Sequence, residues 1–175
     1  MIRVFLIGYM GVGKTTYGQA LADRLNIEFY DLDWYISSRR RKTIAAIFDE
    51  AGAEGFRTIE RNVLHEVAEF ENVIVSCGGG TPCYFDNIDY LNQQGITIYL
   101  KALVDFITKN LILSKNDRPL LKGKTGAELD EFVRTQLAER EEFYNKAQYI
   151  IDVSDITQKG DIEKKVDEII KNINL

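Results

Sequence analysis

Residues Gly8 to Thr16 read Gly-Tyr-Met-Gly-Val-Gly-Lys-Thr-Thr, which matches the phosphate-loop pattern G-x-x-x-x-G-K-[ST] near the start of the chain. Such a loop works only between a strand and a helix, because it offers an anion successive backbone N–H groups and the positive end of a helix. Both neighbours are present. The apolar run Ile2 to Ile7, interrupted only by Arg3, reads as a strand, and Lys14 to Leu25 reads as an amphipathic helix with Tyr17, Ala20, Leu21 and Leu25 on one face. Glycines let the backbone come close to a phosphate. A nucleoside triphosphate is therefore expected on Gly11, Val12, Gly13, Lys14, Thr15 and Thr16. Lys14 would bridge its terminal phosphates and the Thr15 hydroxyl would face magnesium.

The length of 175 residues suits one α/β domain, residues 1–175. With 45% hydrophobic and 28% charged residues the composition is that of a globular domain and leaves no room for extended disorder. No apolar run approaches the roughly 20 residues that cross a bilayer, and the first strand carries the phosphate loop, so it is not a cleaved signal. A cytoplasmic location with no membrane partner is expected. The net charge of −5 disfavours nucleic acid as a partner, so any attraction for anions must be local. The dense basic run Arg39 to Lys42 reads as a solvated helix end followed by a turn, with an acidic partner as the alternative. Cys77 and Cys83 have neither zinc nor redox spacing and read as reduced thiols. His65 is the single histidine and is expected at the surface of a helix over 53–69.

Short β-rich runs at 2–7, 28–31, 73–77, 96–100 and 150–153 alternate with helical patterns. Phe56, Ile59, Val63, Leu64 and Val67 share a face of the long helix, and Ile162, Val166, Ile169, Ile170 and Ile173 stripe the last one. Alternating strands and helices with right-handed crossovers give a parallel sheet covered on both sides, with ligands at the carboxyl ends of the strands. The polar, basic stretch from Ser114 to Gly126 breaks the pattern and reads as a mobile lid bringing Lys115, Arg118, Lys122 and Lys124 to a triphosphate.

The strand ends carry the remaining chemistry. Asp31 and Asp33 flank Leu32; in extended backbone both would face the cleft, one orienting magnesium and the other accepting a proton from a hydroxyl. They also suit a helix start with no catalytic duty. The third strand leads into Gly78, Gly79 and Gly80, whose exposed N–H groups offer a surface for a flat, oxygen-rich molecule. Arg57, with Glu60 one turn later, and Arg140, on a helix from about Gly126 to Ala147, are each by themselves surface arginines in ion pairs.

Taken together the chain resembles the shikimate kinases over essentially its whole length. The elements that carry the likeness occur in order: the loop at Gly8 to Thr15, Asp31 with Asp33, Phe56-Arg57 with Glu60, Gly78 to Gly80, Arg118 to Leu121, and Arg140 with Tyr144. The resemblance implies a three-layer P-loop kinase fold with a five-stranded parallel sheet in the order 2-3-1-4-5. It also implies transfer of the γ-phosphoryl of ATP to the 3-hydroxyl of shikimate, with Mg2+. It assigns shikimate to Asp33, Arg57, Gly79 and Arg140, the metal to Thr15 and Asp31, with Ser76 helping through water, and charge neutralisation to Lys14 and Arg118. Asp33 becomes the candidate base, and the expected partners are ATP, ADP and shikimate for a monomeric enzyme.

Two departures stand out. The arginine that usually stacks on adenine is replaced by Leu111 beside Asn110, and the Gly-Glu pair ahead of Phe56 is Gly52-Ala53, with Glu54 one place later. Another small-molecule kinase, for gluconate or a nucleoside monophosphate, and a non-catalytic nucleotide sensor are the competing readings.

Overall fold

A computed structural model describes residues 1–114, 126–156 and 159–175. The parallel sheet comprises β1 (Arg3–Ile7), β2 (Glu28–Asp31), β3 (Val73–Ser76), β4 (Ile96–Lys101) and β5 (Tyr149–Asp152), in the order β2-β3-β1-β4-β5. Every neighbouring pair runs parallel, with Leu6 opposite both Ser76 and Ile98, and Asp31 opposite Ser76. Composition explains the order. β3 is buried throughout and β1 and β4 nearly so, as central strands with packed faces must be, whereas β2 and β5 carry the polar, partly exposed residues of edges.

The helices are α1 (Lys14–Leu25), α2 (Leu32–Arg40), α3 (Ile44–Ala68), α4 (Asn87–Gln94), α5 (Val104–Leu113), α6 (Gly126–Tyr144) and α7 (Lys159–Asn172). α1 lies on β1, β2 and β3 and packs beside α7, and α2 packs on α3. The buried face of α1 is Tyr17, Gly18, Leu21 and Ala22; Ala20 and Leu25 sit at its margin. α3 starts earlier than the pattern of apolar residues suggests, because Gly52 interrupts it at φ 69°, ψ 178°. The apolar stripe belongs to the segment beyond that break, which is why periodicity locates only the second part. Phe56, Leu64 and Val67 are buried there, with Ile59 and Val63 packed against them.

The basic run ends α2 as expected. Arg41 adopts left-handed backbone at φ 53° and caps the helix, while Arg39 and Lys42 pair with Glu66 and Glu50. His65 departs from expectation. It is half-buried and lies flat on Tyr90, with ring centroids 3.7 Å apart, and its Nε2 is enclosed with no partner among the described residues. Burial, with Arg61 close by, lowers its pKa. The period of α3 gives His65 a flank position, and only the packing of α4 covers it. No described helix is long and apolar enough to cross a membrane.

Candidate active site

The carboxyl ends of β1, β2 and β3 open into one cavity of about 910 Å³. It is lined by the phosphate loop from Met10 to Thr16, apart from Val12, and by Asp31, Asp33, Ser76, Gly78 and Gly79. Val12 is 1% exposed and faces the core, so only its backbone belongs to the loop surface. Gly11 and Gly13 hold φ of 85° and 94°, a region that side chains with a Cβ rarely occupy, and Gly13 caps α1. Lys14, 9% exposed, donates from Nζ to the carbonyls of Gly8 at 2.8 Å and Tyr9 at 2.9 Å. The ammonium is thereby folded back over its own loop.

The two aspartates meet the cavity by a different route from the extended pair. Asp31 ends β2 and caps α2, its Oδ1 accepting the Trp34 N–H at 3.1 Å. Asp33 therefore sits in the first helical turn. Capping and cleft-facing geometry coexist, because Asp31 has a second oxygen, which accepts from Thr15 Oγ1 at 2.9 Å. Asp33 faces inward under Gly78. Burial, reinforced by the Asp31 and Glu60 carboxylates and opposed by Lys14 and Arg57, pushes its pKa from 3.8 to about 6. A carboxyl poised near neutrality is suited to taking up a proton.

Arg57 is not a surface arginine. Its Nη1 donates to Glu60 Oε2 at 2.7 Å, and Glu60 is 1% exposed. The other Glu60 oxygen accepts from buried Thr81 Oγ1 at 2.6 Å. The guanidinium lies over the rings of Tyr84, Phe56 and Phe48, with centroids at 4.1, 5.3 and 6.0 Å. Aromatic faces and one charged partner together fix a long side chain. Arg140 on α6 makes no i,i+4 ion pair; its Nη2 donates to Gln136 Oε1 at 3.0 Å, and its guanidinium lies 5.5 Å from the Tyr9 ring centroid.

The glycine triplet answers mainly to space. None of Gly78, Gly79 and Gly80 has a positive φ. A Cβ on Gly80 would stand 2.6 Å from the Arg57 guanidinium, and one on Gly78 would meet Thr81, Asp33 and Glu60 at 3.0 to 3.3 Å. A Cβ on Gly79 would stand 3.4 Å from the Met10 N and 3.5 Å from Arg140 Nη1. Tyr144 Oη donates to the Gly79 carbonyl at 2.6 Å. The triplet is thus the place where both arginines, Asp33 and the phosphate loop converge.

On the flank of the phosphate loop toward α5, Asn110 Nδ2 donates to the Gly11 carbonyl at 2.9 Å and Leu111 packs on Gly11. Glu54 is exposed and takes no side-chain part in the cavity. Cys77 and Cys83 are free; burial raises both thiols, Cys83 to about 11, so neither is a nucleophile near neutral pH. Arg118 and most of the expected lid lie outside the described residues.

A family model for shikimate kinase matches residues 10–174. The chain belongs to the shikimate kinase family. It is 48% identical over 171 residues to a shikimate kinase of Parabacteroides distasonis, covering 98% of this chain and 99% of that one. The crystal structure of a shikimate kinase from Bacteroides thetaiotaomicron superposes with a TM-score of 0.97 at 46% identity, covering 99% of both chains. A shikimate kinase from Acinetobacter baumannii in complex with shikimate gives a TM-score of 0.86 at 33% identity, with 99% of this chain and 93% of that one covered. The chain is accordingly an ATP-dependent kinase that phosphorylates shikimate, and the gluconate, nucleotide and sensor readings give way.

Several residues of the site carried no sequence signal strong enough to find them. Tyr9, Gln136, Thr81 and Asn110 join it through hydrogen bonds to residues far away in the chain. Glu60 appears in the pattern of the family, yet its burial and its second bond to Thr81 are visible only once α3 meets the turn after β3.

Proposed function

We propose that this kinase moves the γ-phosphoryl of ATP to the 3-hydroxyl of shikimate with Asp33 as proton acceptor, Arg57 and Arg140 as the carboxylate clamp, and Thr15 and Asp31 as the metal-facing pair. The observation that carries the reading is the position of Asp33. It lies between the phosphate loop and Arg57, with a pKa held near 6.

In this reading the shikimate carboxylate meets two guanidinium groups that approach Gly79 and Gly80 from opposite helices. Paired, charge-assisted hydrogen bonds give both affinity and orientation. Without a Cβ at Gly79 the ring can lie close to backbone. Fixing the ring at its carboxylate end places a hydroxyl at Asp33, and the same distance constraint rejects acceptors of another length. Asp33 accepts the hydroxyl proton as the oxygen attacks. Lys14 and the loop N–H groups hold the phosphates and offset charge growing on the transferred group, the term on which phosphoryl transfer chiefly depends. Arg118 is assigned to the same task by its place in the family pattern.

Magnesium fits the residues present. The Thr15 hydroxyl and an Asp31 carboxylate oxygen stand 2.9 Å apart beside the loop, an all-oxygen pair of the kind a hard cation selects. Among the described residues no group of three or more His, Cys, Asp or Glu side chains is arranged to hold a metal ion by itself. When bound, Mg2+ supplies Lewis-acid charge stabilisation to the phosphates. Ser76, buried at the end of β3 opposite Asp31, backs this pair.

The deciding experiment measures ADP release with Mg·ATP and, in parallel, shikimate, gluconate or a nucleoside monophosphate. Release with shikimate alone is expected. Release with gluconate or a nucleotide instead would overturn the assignment of the acceptor clamp.

A further inference from the structure

We propose that Gln136 is a positioning residue for Arg140, and that through Tyr9 it ties the acceptor clamp to the phosphate loop. The inference rests on the reading of Arg140 as a carboxylate-binding group. Two donors share one amide oxygen on α6: Arg140, one turn along the same helix, and Tyr9, from the phosphate loop. Gln136 Oε1 accepts from Arg140 Nη2 at 3.0 Å and from Tyr9 Oη at 3.2 Å. An arginine only donates, so the oxygen of the Gln136 amide, and not its nitrogen, must face it.

Tyr9 is the second residue of the loop motif and is fully buried. Its carbonyl accepts from Lys14, its ring lies under the Arg140 guanidinium, and its hydroxyl reaches Gln136. One residue thereby touches the phosphate-binding lysine at its backbone and the clamp at its side chain. The chain Lys14, Tyr9, Gln136, Arg140 is continuous in hydrogen bonds. With Nη2 held by Gln136, Arg140 Nη1 is directed at Gly79, 3.5 Å from where a Cβ would stand.

A neutral partner has a specific advantage here. Glutamate at this position would satisfy the guanidinium by itself and compete with the acceptor carboxylate, whereas glutamine orients Arg140 and leaves its charge uncancelled. Arg57 differs, since buried Glu60 already neutralises it. Among the described residues Arg140 has no such carboxylate partner, which makes it the half of the clamp that retains net positive charge for the acceptor.

The test compares wild-type enzyme with Gln136→Met, Gln136→Glu, Tyr9→Phe and Arg140→Met. Steady-state kinetics are combined with calorimetric shikimate binding, with and without Mg·ADP. Gln136→Met should raise KM and Kd for shikimate roughly tenfold, as expected for loss of a hydrogen bond to a charged group. kcat at saturating shikimate and KM for ATP should change less than about threefold, since the reacting groups are untouched. Gln136→Glu should weaken shikimate binding at least as much. Tyr9→Phe keeps the ring, so it tests the link alone: the factor by which Mg·ADP changes shikimate affinity in the wild type should move toward one.

Wild-type shikimate affinity in both Gln136 variants would overturn the positioning role, as would an equal loss in both substrates. A wild-type shikimate affinity indifferent to Mg·ADP, or unchanged coupling in Tyr9→Phe, would overturn the link. Arg140→Met separates the layers: if it binds shikimate normally the clamp reading itself fails, and if it does not while Gln136→Met does, only Gln136 is misassigned. Should Gln136→Met fail to fold, Tyr9→Phe still decides the link and Gln136→Glu the need for a neutral partner.

Discussion

Thr15 Oγ1 donates to Asp31 Oδ2 at 2.9 Å, joining the first turn of α1 to the end of β2. The bond links the phosphate loop to the strand that leads into Asp33, and it sets the proposed metal-facing oxygens near the proposed base in one cavity. Asp31→Ala should therefore disturb the metal requirement more than acceptor binding. The Mg2+ concentration giving half-maximal rate should rise about tenfold or more, with KM for shikimate within about threefold, in a titration of rate against Mg2+ at fixed ATP. An unchanged Mg2+ dependence would remove Asp31 from that role.

Asp33→Asn should reduce kcat by about 10²- to 10⁴-fold, the range typical of losing a general base, while calorimetry shows nucleotide binding retained. In the wild type, activity requires the carboxylate, so kcat/KM for shikimate should rise with pH around a midpoint near 6. Near-normal turnover in the variant, or a flat profile between pH 5 and 8, would exclude Asp33 as the base.

The same substitution has a consequence for stability. The folded pKa of Asp33 lies above its ordinary 3.8, so the folded state holds this proton more tightly than the unfolded chain does. Stability from this group is present below about pH 4 and is lost as pH rises to about 6. Asp33→Asn should then be more stable than wild type at pH 7 by roughly 1–3 kcal/mol, with the gap closing toward pH 4, in urea unfolding followed by circular dichroism. A variant less stable than wild type at neutral pH would contradict the buried-carboxylate account.

Gly80→Ala places a methyl where the Arg57 guanidinium lies, 2.6 Å from its Nη2. The obstacle is the end of a flexible side chain, so the fold should survive and the clamp should shift. KM for shikimate should increase roughly tenfold or more with a melting temperature within a few degrees of wild type. Glu60→Ala should behave differently: it strips a buried partner from both Arg57 and Thr81 and should cost about 3–5 kcal/mol of stability.

Trp34 adjoins Asp33, is 65% exposed and borders the groove formed with Ser37, Arg41 and Ile44. As the single tryptophan it reports on α2 alone. Its emission should change on titration with shikimate and respond less to nucleotide. No change at saturating shikimate would argue against an acceptor site beside α2.

Much of the fold was legible in local signals. The sequence pattern marks the span of α1 to the residue and the strands to within one residue at each end, because the motif at Gly8 to Thr16 demands strand, loop and helix and because apolar runs mark central strands. The strand order came from likeness to the family. The start of α3 was not legible, since a residue with non-helical backbone at Gly52 separates two helical segments of different apolar pattern. Extended backbone and a helix start both suit Asp31 and Asp33 by residue type; the structure has the helix start, with Asp31 as N-cap, and Asp33 reaches the cavity from the first helical turn.

What the sequence determined by itself is the chemistry available: a phosphate loop, two carboxylates after β2, a glycine triplet after β3 and arginines on two later helices. These are written in residue type and short spacing, which fix local conformation. The tertiary structure alone decided which groups share an environment. Tyr9 and Gln136 are 127 residues apart, and Tyr144 and Gly79 are 65 apart. Such contacts carry no local periodicity, and the burial that raises the pKa of Asp33 and the pairing that encloses Glu60 exist only when helices from distant segments close over the sheet.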